Sequence, residues 1–329
     1  MPLSELALFP ILTVVFALLA FFIGYGIAVA NGHVYAWLPF ISDCGNLQPE
    51  SSIFGQLLNI SALFLTVSVF LIHQNIVDFH ARNYGSNIGK WKHVSVALML
   101  LGMAAALGES MVANFQEGPQ LITHDVGAFL FFIGIILYYW GQIVVAYGLR
   151  PRMVSMHLTN FRVALNLLTT ALLVFHMTCL FGQPFVKTVN GTKPVDVTPE
   201  NGIVKHKKGD QFYDNWLATT ISEWVLALLI LFHFLTFAYD LSLRKVSSPR
   251  GSHCSSVVGG PMKRMSYETP VDQIYTDQFS TPDGYYNTPS RRRLYRVDQV
   301  YASSAYAPPR ALPRTVVAPT SDHDQYQYF

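Results

Sequence analysis

The chain has 329 residues, of which 51% are hydrophobic and only 13% are charged. An average soluble domain carries about 25% charged residues, so this composition indicates a membrane protein and argues against a soluble enzyme. The three cysteines are too few for a disulfide framework and lack the CxxC spacing of a zinc finger. The formal net charge of +2 indicates no particular partner, and we expect no nucleic-acid binding.

Six stretches are apolar over about the 20 residues that a helix needs to cross the hydrocarbon core of a bilayer. They predict an all-α, polytopic membrane protein with six transmembrane helices, at residues 6–30, 53–74, 94–113, 125–148, 163–181 and 216–241. The first stretch ends in Ala28-Val29-Ala30, which resembles a signal-peptide cleavage site. It lacks a basic flank and is longer than a signal sequence, so we expect an uncleaved helix. Cleavage would leave five spans, with the two ends on opposite faces.

Basic residues in the connections predict which helix ends face the cytosol. The second and fourth connections and the start of the tail carry Lys and Arg, whereas the first and third, residues 31–52 and 114–124, contain neither. This bias places both termini in the cytosol. The fifth connection conflicts because it is rich in lysine, yet it also holds Asn190-Gly191-Thr192, a glycosylation acceptor pattern that requires the lumenal side.

Polar side chains near the lumenal ends of different predicted helices would meet at one level of the membrane. They form a predicted lumenal polar cluster of Asp43, Glu109, Asn114, His124, Asp125, His176 and Glu223. A charged group at the bilayer centre costs at least about 2.5–3.5 kcal/mol, so such groups need a reason to be there. One reason is a cavity that binds a lipid headgroup, a proton or a small solute. The other is a set of interhelical hydrogen bonds that hold the bundle together.

The sequence carries no sign of catalysis or of a bound cofactor. His124, Asp125, His176 and Glu223 have the chemistry of metal ligands, but the chain lacks a closely spaced histidine pair, so we expect no metal site. No P-loop, G-x-S-x-G or kinase signature occurs, and we expect neither a cofactor nor a catalytic residue. Two cysteines, Cys44 and Cys179, fall toward the lumenal side, where a disulfide bond and two free thiols are both open alternatives.

The composition changes sharply after residue 241. The rest is rich in Pro, Tyr, Ser and Arg, and it has too few aliphatic residues to offset the entropy of ordering. We therefore predict a six-helix transmembrane domain, residues 1–245, and a disordered cytosolic tail, residues 246–329. Three Thr-Pro pairs provide candidate phosphorylation sites, and the chain ends in a Tyr-x-x-bulky sorting pattern. These residues are Thr269, Thr281 and Thr288 for phosphorylation, and Tyr326 and Phe329 for sorting.

The first connection has the most distinctive sequence in the chain. It reads Pro39-Phe40-Ile41-Ser42-Asp43-Cys44-Gly45 and is followed by Pro49-Glu50 and Phe54-Gly55. Later motifs keep the same order: Val112-Ala113-Asn114-Phe115-Gln116, His124 with Gly127, and Thr219-Thr220 with Glu223-Trp224. Together they resemble the DRAM family, the DNA-damage-regulated autophagy modulators. That family lies within a wider group of six-span proteins that includes phosphoinositide-kinase regulators and GPI-lipid remodelling factors.

The resemblance implies six helices with cytosolic termini, lysosomal or endosomal membranes, and a non-enzymatic role in promoting autophagy. The wider group implies instead a plasma-membrane regulator of phosphoinositide synthesis or lipid asymmetry. A transporter or lipid-modifying enzyme that uses the lumenal cluster is a third interpretation. The expected partners are membrane lipids, including phosphoinositides, and cytosolic trafficking or autophagy proteins that bind the tail. The chain departs from the family pattern at Cys44, where threonine is expected, at Glu109, where an apolar residue is expected, and in its longer tail.

Overall fold

The computed structural model describes residues 5–84, 89–197, 199 and 202–243. All of them belong to one compact unit, Met1–Ser252. The predicted disordered tail, its phosphorylation sites at Thr269, Thr281 and Thr288, and its sorting residues Tyr326 and Phe329 lie outside the described residues. They therefore stay predictions.

The chain folds into six long helices, which confirms the predicted all-α membrane architecture. The helices are α1 Leu8–Ala30, α2 Glu50–Tyr84, α3 Gly89–Asn114, α4 Glu117–Gly148, α5 Met156–Met177 and α6 Tyr213–Ser242. Each belongs to a helical segment that is long and apolar enough to cross a membrane. Short 3₁₀ turns occur at Glu5–Ala7 and Asp43–Gly45, and a π-helical turn, Thr178–Gly182, extends α5.

Several helices run beyond the apolar stretches that predicted them. The second continues past residue 74 to Tyr84, and the fourth begins at Glu117 rather than at residue 125. Most of the predicted third connection is therefore helical, and within α4 only Gln120 departs from helical geometry, with φ −139° and ψ 47°. Hydropathy reports the part of a helix that suits hydrocarbon, whereas backbone hydrogen bonding continues into the polar flanks.

The helices form a closed ring in chain order. Each packs against the next, and α6 completes the ring by packing against α1. Because the helices are joined by successive up-and-down connections, the first, third and fifth connections share one end of the bundle. We call this the first-loop end, and we call residues 31–49, which join α1 to α2, the first loop. The end of α2, the start of α3, the fourth connection and Leu243 lie at the opposite end.

The interior is aromatic near its centre, and the outer surface is apolar. Tyr139 is fully buried, and its hydroxyl donates to the Ile230 carbonyl over 2.9 Å. On the outside, Phe22, Leu63 and Leu107 are each more than half exposed. Apolar side chains on every side of a helical bundle suit a bilayer rather than water.

Candidate functional site

The first loop is fastened to α6 by two hydrogen bonds. The Ile41 N–H donates to Glu223 Oε2 over 2.9 Å. The indole N–H of the next residue, Trp224, donates to the Pro39 carbonyl, also over 2.9 Å. Adjacent residues of one helix thus hold two points of the loop, and a buried carboxylate receives a backbone N–H that would otherwise lack a partner.

Close contacts with α1 and α4 fix the rest of the loop. A side chain at Gly24 of α1 would place its Cβ 2.9 Å from the Cys44 carbonyl, so only glycine permits this approach. At the start of α4, the Gly118 N–H donates to Asn46 Oδ1 over 2.9 Å. Three helices therefore hold the loop over the end of the bundle, and its position is set by the fold of the whole domain.

Asp43 and Cys44 begin the 3₁₀ turn of this loop, and both are buried. Burial, reinforced by the nearby carboxylates of Glu117 and Glu223, raises the pKa of the Asp43 carboxyl well above its usual range. Burial also raises the pKa of the Cys44 thiol. Reactive cysteines have lowered pKa values and some access to solvent, so Cys44 is a packing residue. Cys44 and Cys179 are both buried in the structure, and neither forms a disulfide bond there.

A cavity with an empty volume of about 620 Å³ lies beneath the first loop. We call it the inner chamber. Its wall is mainly apolar, and its polar side chains are Glu109 from α3, His124 from α4, Glu223 from α6 and Ser42 from the loop. Glu109 is 5% exposed, and its Oε2 atom has no hydrogen-bond partner among the described residues. The chamber thus holds a buried carboxylate oxygen that the protein itself does not satisfy.

A second cavity, the outer chamber, has an empty volume of about 920 Å³ and lies chiefly between α4 and the end of α5. The two chambers adjoin, because they share the lining residues Ser42, His124, Ala128, Phe132 and Glu223. The outer chamber adds three ionisable side chains to the polar wall, namely Glu117, Asp125 and His176.

The two histidines of the chambers are oriented by neighbouring backbone carbonyls. His124 Nδ1 lies 2.8 Å from the Phe115 carbonyl, which can only accept, so this nitrogen carries the proton. His176 Nδ1 lies 3.2 Å from the Thr219 carbonyl and 3.0 Å from the Ser222 hydroxyl oxygen. In a neutral ring, the remaining nitrogen of His124 is therefore a hydrogen-bond acceptor.

The structure brings most of the predicted polar cluster to the two chambers. Their walls contain Glu109, His124, Asp125, His176 and Glu223. Asp43 lies in the loop that covers them, close enough for Glu223 to influence its charge. Asn114 lies elsewhere, on the exposed surface of α3, where its Oδ1 accepts from the Asn59 amide of α2 over 3.0 Å. No group of three or more His, Cys, Asp or Glu side chains suited to a metal ion occurs in the described part of the chain.

Sequence reasoning missed Glu117 and the role of Arg162. It placed Glu117 in a connection, and only the early start of α4 turns this residue toward the outer chamber. It used Arg162 only as a loop charge, whereas the guanidinium is buried at the opposite end and donates to both oxygens of Asp240, each over 2.9 Å. The available signal for this pair was Asp240, an acidic residue in a mostly apolar part of the α6 sequence.

Six apolar helices, a loop fastened over one end and two adjoining acid-lined chambers define a polytopic α-helical membrane protein. The chain belongs to the Frag1/DRAM/Sfk1/Cwh43P family, whose N-terminal domain model matches residues 5–243. This match confirms the resemblance that the loop motifs carried.

Its relatives include named autophagy modulators. DNA damage-regulated autophagy modulator protein 1 of Mus musculus is 33% identical over 238 residues, which cover 72% of this chain and 92% of the relative. The same protein of Homo sapiens is 31% identical over 238 residues, with the same coverage of 72% and 92%. The modulator of macroautophagy TMEM150B of Xenopus tropicalis is 38% identical over 171 residues, covering 51% of this chain and 70% of the relative. No solved structure matches the chain.

Proposed function

We propose that this protein is a non-enzymatic, multi-pass membrane protein that modulates autophagy from lysosomal or endosomal membranes. The observation that carries the proposal is its similarity over 92% of a relative named as an autophagy modulator, a similarity that extends across the membrane domain. A second relative, named as a modulator of macroautophagy, supports the same function. Partners of this function are membrane lipids and cytosolic trafficking or autophagy proteins that bind the tail.

In this proposal the first-loop end faces the lumen and both termini face the cytosol. The absence of Lys and Arg from residues 31–52 supports this orientation. The glycosylation acceptor supports it too, because Asn190 lies exposed in a tight turn closed by hydrogen bonds between Val189 and Thr192. Asn190 and Gly191 have φ values of 53° and 77°, as the two central residues of a type I′ turn require.

Asn190→Gln is expected to abolish glycosylation of the protein in cells. The variant should migrate on a gel like wild-type protein treated with an endoglycosidase, because the exposed turn is the acceptor. The conservative variant Thr192→Ser keeps the Asn-x-Ser/Thr pattern and serves as the matched control, which should retain the glycan. Wild-type protein whose mobility is unchanged by endoglycosidase would contradict the lumenal placement of this turn.

Tyr326→Ala with Phe329→Ala is expected to move the full-length protein from lysosomal markers to the cell surface, because it removes both signal residues of the sorting pattern. Fluorescence imaging with organelle markers, with and without starvation, measures the change. Tyr328→Ala is the matched control and should leave the distribution unchanged.

Autophagic flux, measured as lysosome-dependent turnover of a cytosolic cargo reporter, should fall in cells that lack the protein and recover with the wild type. Flux that is the same with and without the protein would contradict the proposed function.

Lipid handling at the plasma membrane is a second candidate, and the adjoining chambers favour it. Apolar walls with a few acidic groups are typical of sites for small amphipathic molecules. The imaging experiment separates the candidates: wild-type protein that stays at the cell surface, and that the tail variants do not redistribute, would support this candidate and contradict a lysosomal location.

A further inference from the structure

We infer that the inner chamber binds an amphipathic cation, a molecule with one protonated amine and a long apolar body. The inference goes beyond a role in autophagy, because it concerns the chemistry of a site within the membrane domain. It stands on the shape of the chamber, on its hydrogen-bonding groups and on its charge.

The chamber has the surface that an apolar body requires. It is lined by side chains of α1, α2, α3, α4 and α6 and by the first loop. Most of its wall consists of alanine, leucine, valine and phenylalanine side chains, including Phe21, Phe54 and Phe131. Such a wall removes hydrocarbon from water without competing for hydrogen bonds.

The inner chamber presents hydrogen-bond acceptors to a ligand. His124 commits its Nδ1 proton to the Phe115 carbonyl, which leaves an acceptor nitrogen. Glu223 already receives the Ile41 N–H, so its carboxylate is partly satisfied. Glu109 Oε2 is buried and has no hydrogen-bond partner among the described residues. A buried acceptor in this position is best satisfied by a donor that the ligand brings.

Charge distinguishes an ammonium group from other donors. Four acidic residues line the two chambers, namely Glu109, Glu117, Asp125 and Glu223, and no lysine or arginine in the described part of the chain lines either one. Lys205 acts on Asp43 in the covering loop and is not part of either wall. A pair of acid-lined chambers with low-dielectric walls attracts cations and repels fatty acids and phosphates. A protonated amine therefore matches the carboxyl groups of both chambers.

Three probes with one chain and different heads test the inference: oleylamine, oleyl alcohol and oleate. Each is titrated into the purified full-length chain in detergent, and binding is followed by calorimetry and by the shift in Tm. Oleylamine should bind about tenfold or more tightly than oleyl alcohol, since a charge-assisted hydrogen bond is lost with the alcohol. Oleate should give no Tm shift. Equal binding of the amine and the alcohol, or tighter binding of oleate, would overturn the inference.

Variants place the binding in the inner chamber. Glu109→Gln keeps the shape of the side chain and replaces the carboxyl group by an amide that cannot pair with an ammonium as an ion, so it should weaken oleylamine binding about tenfold. Glu5→Gln removes an exposed carboxylate outside the chambers and is the matched control with unchanged binding. Ala128 lines both chambers, so Ala128→Phe should fill the space beside their shared wall. This variant should abolish binding while the protein stays monodisperse. Wild-type affinity in both Glu109→Gln and Ala128→Phe would show that the amine binds elsewhere and would overturn the inference.

Discussion

Arg162→Ala is expected to lower the free energy of unfolding by about 3–5 kcal/mol, one of the largest losses that a single substitution in this domain would cause. The guanidinium of α5 donates to both oxygens of Asp240 in α6, each over 2.9 Å, and also to the hydroxyl and the carbonyl of Thr236. It stacks over the Phe237 ring at 4.5 Å from its centroid. Alanine would leave the Asp240 carboxylate buried without its cation, which costs more than the pair itself contributes.

The same ion pair tells us which variants should rescue stability. Arg162→Met combined with Asp240→Leu removes both charges and keeps most of the buried volume, so this double variant should be more stable than Arg162→Ala alone. Arg152→Ala, which changes an exposed arginine of the fourth connection, is the matched control and should cost little. Unfolding of the purified protein by denaturant in detergent measures all three. A loss for Arg162→Ala no greater than for Arg152→Ala would show that the pair is not stabilising.

The six helices could be predicted because a bilayer imposes a minimum apolar length on each. Their ends could not, since hydrocarbon thickness constrains only the central residues. The start of α4 illustrates the difference: Glu117 is as helical as Val126 but carries no hydropathy signal. This error matters for the site, because the missing turns supply the Gly118 contact to the first loop and the Glu117 carboxylate of the outer chamber.

The level of the predicted cluster followed from topology, but the face of each helix did not. Glu109 and Asn114 lie at the same end of α3, and sequence alone treats them alike. The structure directs Glu109 into the inner chamber and Asn114 to the exposed surface, where it pairs with Asn59. A helix that contacts protein on one side and lipid on the other is apolar on both, so its rotation is weakly encoded in its pattern.

Pairings between distant residues were beyond sequence reasoning for a different reason. Arg162 and Asp240 are 78 positions apart, and Ile41 and Glu223 are 182 positions apart. The type of a residue does not by itself specify its partner. The partner is determined by how α5 and α1 pack against α6. Family motifs could identify the first loop as distinctive, whereas its hydrogen bonds to α6 could be identified only from the three-dimensional structure.

The close packing of α3 against α4 depends on two glycines. A Cβ at Gly108 would lie 2.6 Å from both the Gly127 carbonyl oxygen and the Phe131 backbone nitrogen. In the other direction, a Cβ at Gly127 would lie 2.6 Å from Met111 Cβ. Small residues let membrane helices approach until their backbones touch, and this contact provides much of the attraction where no hydrophobic effect operates between helices.

Gly108→Val is therefore expected to destabilise the domain by about 3 kcal/mol, the upper end of the usual cost of overpacking, because backbone atoms cannot move aside as a side chain would. The neighbouring Glu109 would move with α3, so oleylamine binding should weaken in the same variant. Gly26→Val in α1 is the matched control: nothing lies within 4 Å of a Cβ there, and valine has the better helix propensity, so stability should hold or rise. Denaturant unfolding in detergent compares the two. Equal stability of both variants would mean that α3 and α4 can separate without cost, and the inner chamber would then lack the rigid wall that positions Glu109.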